Sequence, residues 1–108
     1  MSNLDPNLFG KWQQPQGQPY PGLYFEFLPD GTFRAVFEEM GITSSGTYSA
    51  ADGLIDLDQT QHTLGLVGKF YGRYAIEGEQ LTMNLSDPAA ARPESLEGRN
   101  KRLYKKMA

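Results

Sequence analysis

Cysteine is absent from this chain of 108 residues, and histidine occurs once, as His62. The missing thiols exclude disulfides and thiolate metal sites. No apolar run approaches the roughly 20 residues of a membrane-spanning helix. Residues 1–9 lack the basic region and apolar run of a signal peptide. We therefore expect a cytoplasmic protein of one domain, 1–108, with no membrane partner.

A strong excess of one charge is also missing. Ten Lys and Arg side chains stand against 13 Asp and Glu side chains, which gives a formal net charge of −3. The basic run 99–106 departs from this balance, but strand geometry would divide its charges between two faces. We therefore expect no nucleic-acid partner.

Turn residues, by contrast, are plentiful, with 12 glycines and seven prolines between short apolar runs. The most informative turn lies at 29–31. A two-residue Asp-Gly turn would place Phe27 opposite Arg34 and mix charge into both faces of the hairpin. A three-residue loop with Gly31 in the left-handed conformation pairs Phe27 with Phe33 instead. We predict the three-residue loop.

Two further hairpins share a Gly-x-Tyr strand and a two-residue turn, at 52–53 and 78–79. These turns place Tyr48 opposite Leu57 and Tyr74 opposite Met83. The same register collects polar side chains on the opposite face. This alternation at period two predicts strands with one buried face.

The remaining elements complete the prediction. Asp5-Pro6 is typical of a short N-terminal helical turn. A first strand begins at Gly10, the segment 63–71 extends the strand that carries Tyr74, and 99–107 forms the last strand. About eight strands in hairpin order predict an all-β fold. A single antiparallel up-and-down β-barrel follows, because closure removes the exposed edges.

Several short motifs resemble those of the bacterial lipocalin-like domains of the calycin superfamily. They are Gly10-x-Trp12, Phe27-x-Pro29-Asp30-Gly31-Thr32-Phe33, Gly46-x-Tyr48 and Gly72-x-Tyr74-x-Ile76-x-Gly78-x-x-Leu81-Thr82. The resemblance implies a lipocalin-like barrel whose open end holds a small apolar ligand. It also implies that Trp12 closes the other end beneath a basic side chain of the last strand, either Arg99 or Arg102.

The candidate ligand site is the predicted inner face. Its proposed lining residues are Phe25, Phe27, Phe37, Tyr48, Tyr74 and Met83. Aromatic walls with a few hydroxyls are typical of a small-molecule cavity. A barrel of eight strands is also just wide enough to be filled by its own side chains, and a filled core is the alternative.

Three functions are compatible with such a barrel. The first is binding of a small apolar or aromatic molecule without catalysis. The second is a structural or interaction module, including a homodimer, that uses the loop 13–21 or an apolar flank. The third is a lyase or isomerase with Glu26 and Arg34 as base and anion clamp inside the barrel, although the same pair could lie outside as a surface ion pair.

No other catalytic signal is present, because nucleophile, phosphate-loop and dinucleotide motifs are all missing. We expect no cofactor and no metal. Asp56 and Asp58 lie shortly before His62 in sequence, but strand spacing points both carboxylates outward. We interpret His62 as a loop residue.

Overall fold

The chain folds into a closed barrel of eight antiparallel strands that follow one another in sequence order. The computed structural model describes residues 3–107. The strands are β1 (Gly10–Gln13), β2 (Tyr24–Phe27), β3 (Thr32–Phe37), β4 (Ile42–Ala51), β5 (Leu54–His62), β6 (Gly68–Glu77), β7 (Gln80–Leu85) and β8 (Lys101–Lys106). The described residues also form two short 3-10 helices, Pro6–Leu8 and Glu38–Met40. The predicted all-β, up-and-down barrel is confirmed.

The first hairpin has the predicted three-residue loop. Phe27 pairs with Phe33, as the face argument requires. Gly31 has a φ of 87°, a conformation that glycine adopts without steric cost. Asp30 Oδ1 accepts hydrogen bonds from the Thr32 amide at 3.0 Å and from the Thr32 hydroxyl at 2.6 Å. These bonds lower the pKa of the Asp30 carboxyl.

The two Gly-x-Tyr hairpins also have their predicted registers. Tyr48 lies opposite Leu57, and Tyr74 lies opposite Met83. At the first of these turns Asp52 and Gly53 have φ angles of 54° and 79°, the pair of positive values that a type I′ turn requires.

The segment 63–71 is not one continuous strand, which corrects the sequence prediction. Residues 63–67 form a loop, and β6 begins only at Gly68. The Gly65 amide donates to the carbonyl of His62 at 3.0 Å, and Gly65 has a φ of 81°. A left-handed glycine at this point turns the chain, so the apolar residues that follow leave the sheet.

One end of the barrel is closed by Trp12. The side chain is 1% exposed, and its Nε1 donates to the carbonyl of Leu8 at 2.8 Å. Leu8 belongs to the 3-10 helix predicted after Asp5, whose side chain caps that helix by accepting from the Asn7 amide at 3.0 Å. The helix therefore lies across the barrel end and supports the tryptophan.

The cation over Trp12 is Lys106, so the implied contact with Arg99 or Arg102 is wrong. The Nζ of Lys106 lies 4.6 Å from the centre of the Trp12 ring. Arg99 instead forms an ion pair with Asp87, with Nη2 and Oδ2 2.6 Å apart. Arg102 shares the inner face with Lys106 but lies four residues earlier, about 13 Å along the strand. It therefore belongs to the opposite end of the barrel.

Gly10 is required for this arrangement. The Lys106 Nζ donates to the carbonyl of Phe9 and occupies the space beside Gly10. A Cβ at position 10 would lie 2.5 Å from that nitrogen, and the φ of Gly10 is +115°. The Gly10-x-Trp12 motif therefore combines a gap for the lysine with the ring on which it rests.

The segment 86–100 runs outside the barrel wall and is held to it by Arg92. The Nη1 of Arg92 donates to the carbonyls of Ile55 at 3.2 Å and Gly72 at 2.6 Å, which belong to neighbouring strands. Its Nη2 lies 2.5 Å from Oδ1 of Asp56. One guanidinium thus joins the external segment to β5 and β6. No helix among residues 3–107 is long and apolar enough to span a bilayer.

Candidate functional site: the barrel mouth

The end opposite Trp12, called the mouth here, contains a cavity of about 480 Å³. Most of its lining side chains are apolar, and a few are polar. The lining residues are Gln14, Tyr20, Leu23, Phe25, Ala35, Phe37, Ile42, Ser44, Leu57, Gln59, His62, Leu64, Leu66, Phe70, Leu85, Arg102 and Tyr104. A volume of this size lies within the range of small-molecule sites.

The six proposed lining residues divide between the two ends. Phe25 and Phe37 line the mouth cavity. Met83 lines an adjoining pocket of about 270 Å³ that shares Phe70 and Tyr104 with the mouth cavity.

Phe27, Tyr48 and Tyr74 do not line the mouth cavity and pack in the closed half of the barrel. Phe27 and Tyr48 form an edge-to-face pair with ring centres 5.0 Å apart. Alternation at period two identified the inner face correctly, but it carries no information on height along the barrel axis.

The hydroxyls of Tyr48 and Tyr74 serve the fold. Tyr48 donates to the carbonyl of Leu28 at 3.0 Å, and Tyr74 donates to Oδ2 of Asp5 at 2.7 Å. Burial raises the pKa of Tyr48 to about 12. Burial and the Asp5 hydrogen bond raise the pKa of Tyr74. Neither hydroxyl is available to orient a ligand in the mouth.

The loop between β1 and β2 covers one side of the mouth. Tyr20 packs edge-on against Phe37, with ring centres 6.1 Å apart. Oε1 of Gln14 accepts from the Tyr20 amide at 3.1 Å, and Oε1 of Gln18 accepts from the Leu103 amide at 2.8 Å. Two glutamines therefore anchor a loop whose composition alone predicts irregular structure.

The loop 63–67 forms the opposite rim. Gln59 is 8% exposed and its Nε2 donates to the carbonyl of Leu66 at 2.6 Å. His62 is the last residue of β5, so its interpretation as a loop residue is wrong. Its Nδ1 accepts from the Leu64 amide at 3.0 Å. Within residues 3–107, no group of three or more His, Cys, Asp or Glu side chains is placed to hold a metal ion.

Arg102 and Tyr104 provide polar groups inside the mouth that the sequence prediction assigned elsewhere or overlooked. Tyr104 is 3% exposed, and its hydroxyl accepts from Nε2 of Gln14 at 3.3 Å. Burial raises the pKa of Tyr104 to about 12, against the opposing effects of the Gln14 hydrogen bond and the Arg102 charge. Positions 102 and 104 are two residues apart, so the sequence alone predicts that both side chains lie on the same face of β8.

Glu26 and Arg34 lie on the outer face of the barrel. They pair across β2 and β3, with Arg34 Nε and Glu26 Oε1 3.6 Å apart. The Arg34 side chain is 54% exposed. The lyase or isomerase hypothesis needs both groups inside the cavity, so this placement overturns it.

No known protein-family model matches the chain, and no curated protein or solved structure is significantly similar to it. Function is therefore inferred from the geometry of the mouth cavity.

Proposed function

We propose that the protein is a non-enzymatic, cytoplasmic lipocalin-like barrel that binds a small apolar or aromatic molecule in its mouth. The observation that carries this proposal is the apolar cavity of about 480 Å³ between the loops 14–23 and 63–67. The motifs shared with bacterial lipocalin-like domains support the family assignment, and the Trp12–Lys106 contact is a closure of the kind that this resemblance implies.

The cavity exists because small side chains occupy neighbouring inner positions near the mouth. Phe25, Ala35 and Ser44 lie side by side on β2, β3 and β4. Only the first of these is large, so the space beside it stays open. The closed half contains Trp12 and Phe27 instead, each 1% exposed. The filled core of the alternative hypothesis therefore describes one half of the barrel.

The expected affinity is modest. A ligand of about 20 non-hydrogen atoms at roughly 0.3 kcal/mol per atom binds with about 6 kcal/mol, which corresponds to a Kd in the tens of micromolar. Most of that free energy would come from removal of apolar surface from water, at about 25 cal/mol per Å².

Filling the cavity should weaken ligand binding strongly. Ala35→Phe adds a ring to the inner face of the mouth, whereas Val36→Phe adds the same ring to the outer face of the same strand. Titration with the neutral fluorophore N-phenyl-1-naphthylamine should show saturable binding to the wild type. Ala35→Phe should weaken that binding by at least about tenfold, because the new ring occupies the ligand's space, and Val36→Phe should leave it within about twofold.

Urea unfolding followed by Trp12 fluorescence gives the necessary control. Both variants must be folded under the binding conditions for the comparison to count. Equal affinity of the two folded variants, or no saturable binding to the wild type, would contradict the proposed function.

A second candidate, self-association as a homodimer, is favoured by one observation. Leu64, Leu66 and Val67 are 75%, 51% and 51% exposed and belong to one loop. A contiguous exposed apolar patch is typical of an interaction site. Sedimentation equilibrium at rising concentration should show a dimer, and the double variant Leu64→Ser, Val67→Ser should remain monomeric. A wild-type monomer throughout that range would eliminate this candidate.

A further inference from the structure

We propose that the mouth cavity selects an apolar molecule that ends in a carboxylate, with Arg102 as its counter-ion and Tyr104 as a second donor. This inference rests on the proposed function, because it assumes that the cavity is a ligand site. It adds the chemical class of the ligand and the group that recognises it.

The described lining of the mouth cavity contains one positive charge and no negative charge. Among the described residues that line it, Arg102 is the only side chain with a permanent charge, and none is Asp or Glu. The chain as a whole has a net charge of −3. The adjoining pocket contains one carboxylate, Asp87, but that group pairs with Arg99. Among residues 3–107 no carboxylate forms an ion pair with Arg102.

Arg102 has hydrogen-bond donors that no acceptor among residues 3–107 uses. Its Nη1 donates to the carbonyls of Arg99 at 2.8 Å and Lys101 at 2.9 Å. Within residues 3–107 its Nε and Nη2 have no hydrogen-bond acceptor, and Arg102 takes part in no ion pair. A guanidinium with free donors on one edge matches the two oxygens of a carboxylate.

Tyr20 keeps this guanidinium in position. The Cζ of Arg102 lies 5.8 Å from the centre of the Tyr20 ring, in cation–π geometry. The two Nη1 bonds and the ring together restrict the arginine side chain before any ligand arrives. Preorganised donors lose less entropy on binding, which increases the net free energy that each hydrogen bond contributes to binding.

The hydroxyl of Tyr104 is a second available donor. It accepts from Gln14, but within residues 3–107 it donates to no acceptor. A tyrosine hydroxyl is protonated at neutral pH, and burial raises the pKa of Tyr104 further, to about 12, so the phenol remains a donor. Arg102 and Tyr104 are two residues apart on the inner face of β8, so their side chains point to the same side. A carboxylate near Arg102 can therefore accept from both.

A matched pair of ligands tests this selectivity. The probes are 1-naphthaleneacetic acid and 2-(1-naphthyl)ethanol, which share the ring system and differ in the terminal group. By isothermal titration calorimetry at neutral pH, the wild type should bind the acid at least about tenfold more tightly than the alcohol, as expected for charge-assisted hydrogen bonds.

Three variants locate the effect. Arg102→Gln should reduce the preference for the acid to within about twofold, chiefly by weakening binding of the acid, because a hydrogen bond to a charged group contributes more than one to a neutral hydroxyl. Arg102→Lys should retain part of the preference for the acid. It keeps the positive charge but loses the paired guanidinium donors that match a carboxylate. Lys105→Gln removes the same charge from an exposed position on the same strand and should preserve the full preference.

The outcomes distinguish this inference from the function on which it rests. Equal binding of acid and alcohol to the wild type would overturn the carboxylate assignment and leave the apolar site intact. A preference that survives in folded Arg102→Gln would overturn the role of Arg102. Failure of both naphthyl compounds and of the neutral fluorophore to bind would overturn the ligand site itself.

Discussion

Replacing Trp12 with alanine should lower the free energy of unfolding by about 3–5 kcal/mol, the range found for large buried aromatic side chains. The side chain is 1% exposed and closes one end of the barrel. Its removal leaves a void, deprives the Leu8 carbonyl of its donor and removes the ring beneath Lys106. Urea unfolding followed by far-UV circular dichroism measures the loss, since the variant has no tryptophan.

A matched variant separates packing from charge. Lys106→Met keeps an unbranched side chain of similar shape and removes the ammonium, which contacts the Trp12 ring and donates to the Phe9 carbonyl. This variant should cost about 1 kcal/mol. Trp12 does not line the mouth cavity, and a folded Trp12→Ala barrel should bind the neutral fluorophore with unchanged affinity. A variant with wild-type stability and selectively weakened binding would show that Trp12 is a ligand contact.

Replacing Gly46 with alanine should lower the free energy of unfolding by about 3 kcal/mol. This value is the upper part of the range for overpacked sites. A Cβ at position 46 would lie 1.9 Å from the backbone oxygen of Asp58 and 3.1 Å from Cα of Gln59. Both neighbours are main-chain atoms, so β4 and β5 would have to separate. Thermal or urea unfolding would measure the cost.

Thr47→Ala is the matched control, because Thr47 is the exposed neighbour of Gly46 on the same strand. It should change stability by no more than about 0.5 kcal/mol, as is usual at surface positions. If Gly46→Ala and Thr47→Ala had the same small effect, the close approach of β4 and β5 at this point would be wrong.

A β-bulge beside Gly46 brings His62 into the mouth. The β4–β5 register passes from Gly46–Gln59 to Ser45–Gln61, so Thr60 is an extra residue. Such a bulge exchanges the faces of every later residue on its strand. His62 consequently reaches the mouth, where uninterrupted alternation from Gln59 would have directed Gln61.

The hairpin registers were predictable because a slip of one residue exchanges the two faces, and only one register gives a coherent apolar face. Phe27 is therefore predicted opposite Phe33 and Tyr48 opposite Leu57, and the structure has both pairs. The same face pattern also predicts the Glu26–Arg34 pair, which lies on the outer face. These conclusions need only local pattern and turn geometry.

The height of each residue along the barrel axis was not predictable in the same way. It depends on how eight strands are staggered on closure, which is a property of the whole barrel. Phe27 and Tyr74 were therefore assigned to the mouth although they pack in the closed half. Arg102 was assigned to the closed end although it lines the mouth, and Lys106 takes the place beside Trp12.

The two ends of the barrel thus have separate tasks. At one end Gly10, Trp12 and Lys106 form a packed closure that stabilises the fold. At the other end Ala35 is small, two anchored loops form a rim, and the resulting apolar cavity is the proposed ligand site. Substitutions at the first end should change stability, and substitutions at the second should change binding.

Nuclear Overhauser contacts between N-phenyl-1-naphthylamine and methyl-labelled protein test this division most directly. The bound probe should contact the methyl groups of Ala35 and Leu57, which line the mouth cavity. It should show no contact with those of Ile55 and Leu81, which are fully buried and lie outside that cavity. Contacts with the outward-facing Val36 instead, or saturable binding without any contact to Ala35 and Leu57, would contradict the proposed ligand site.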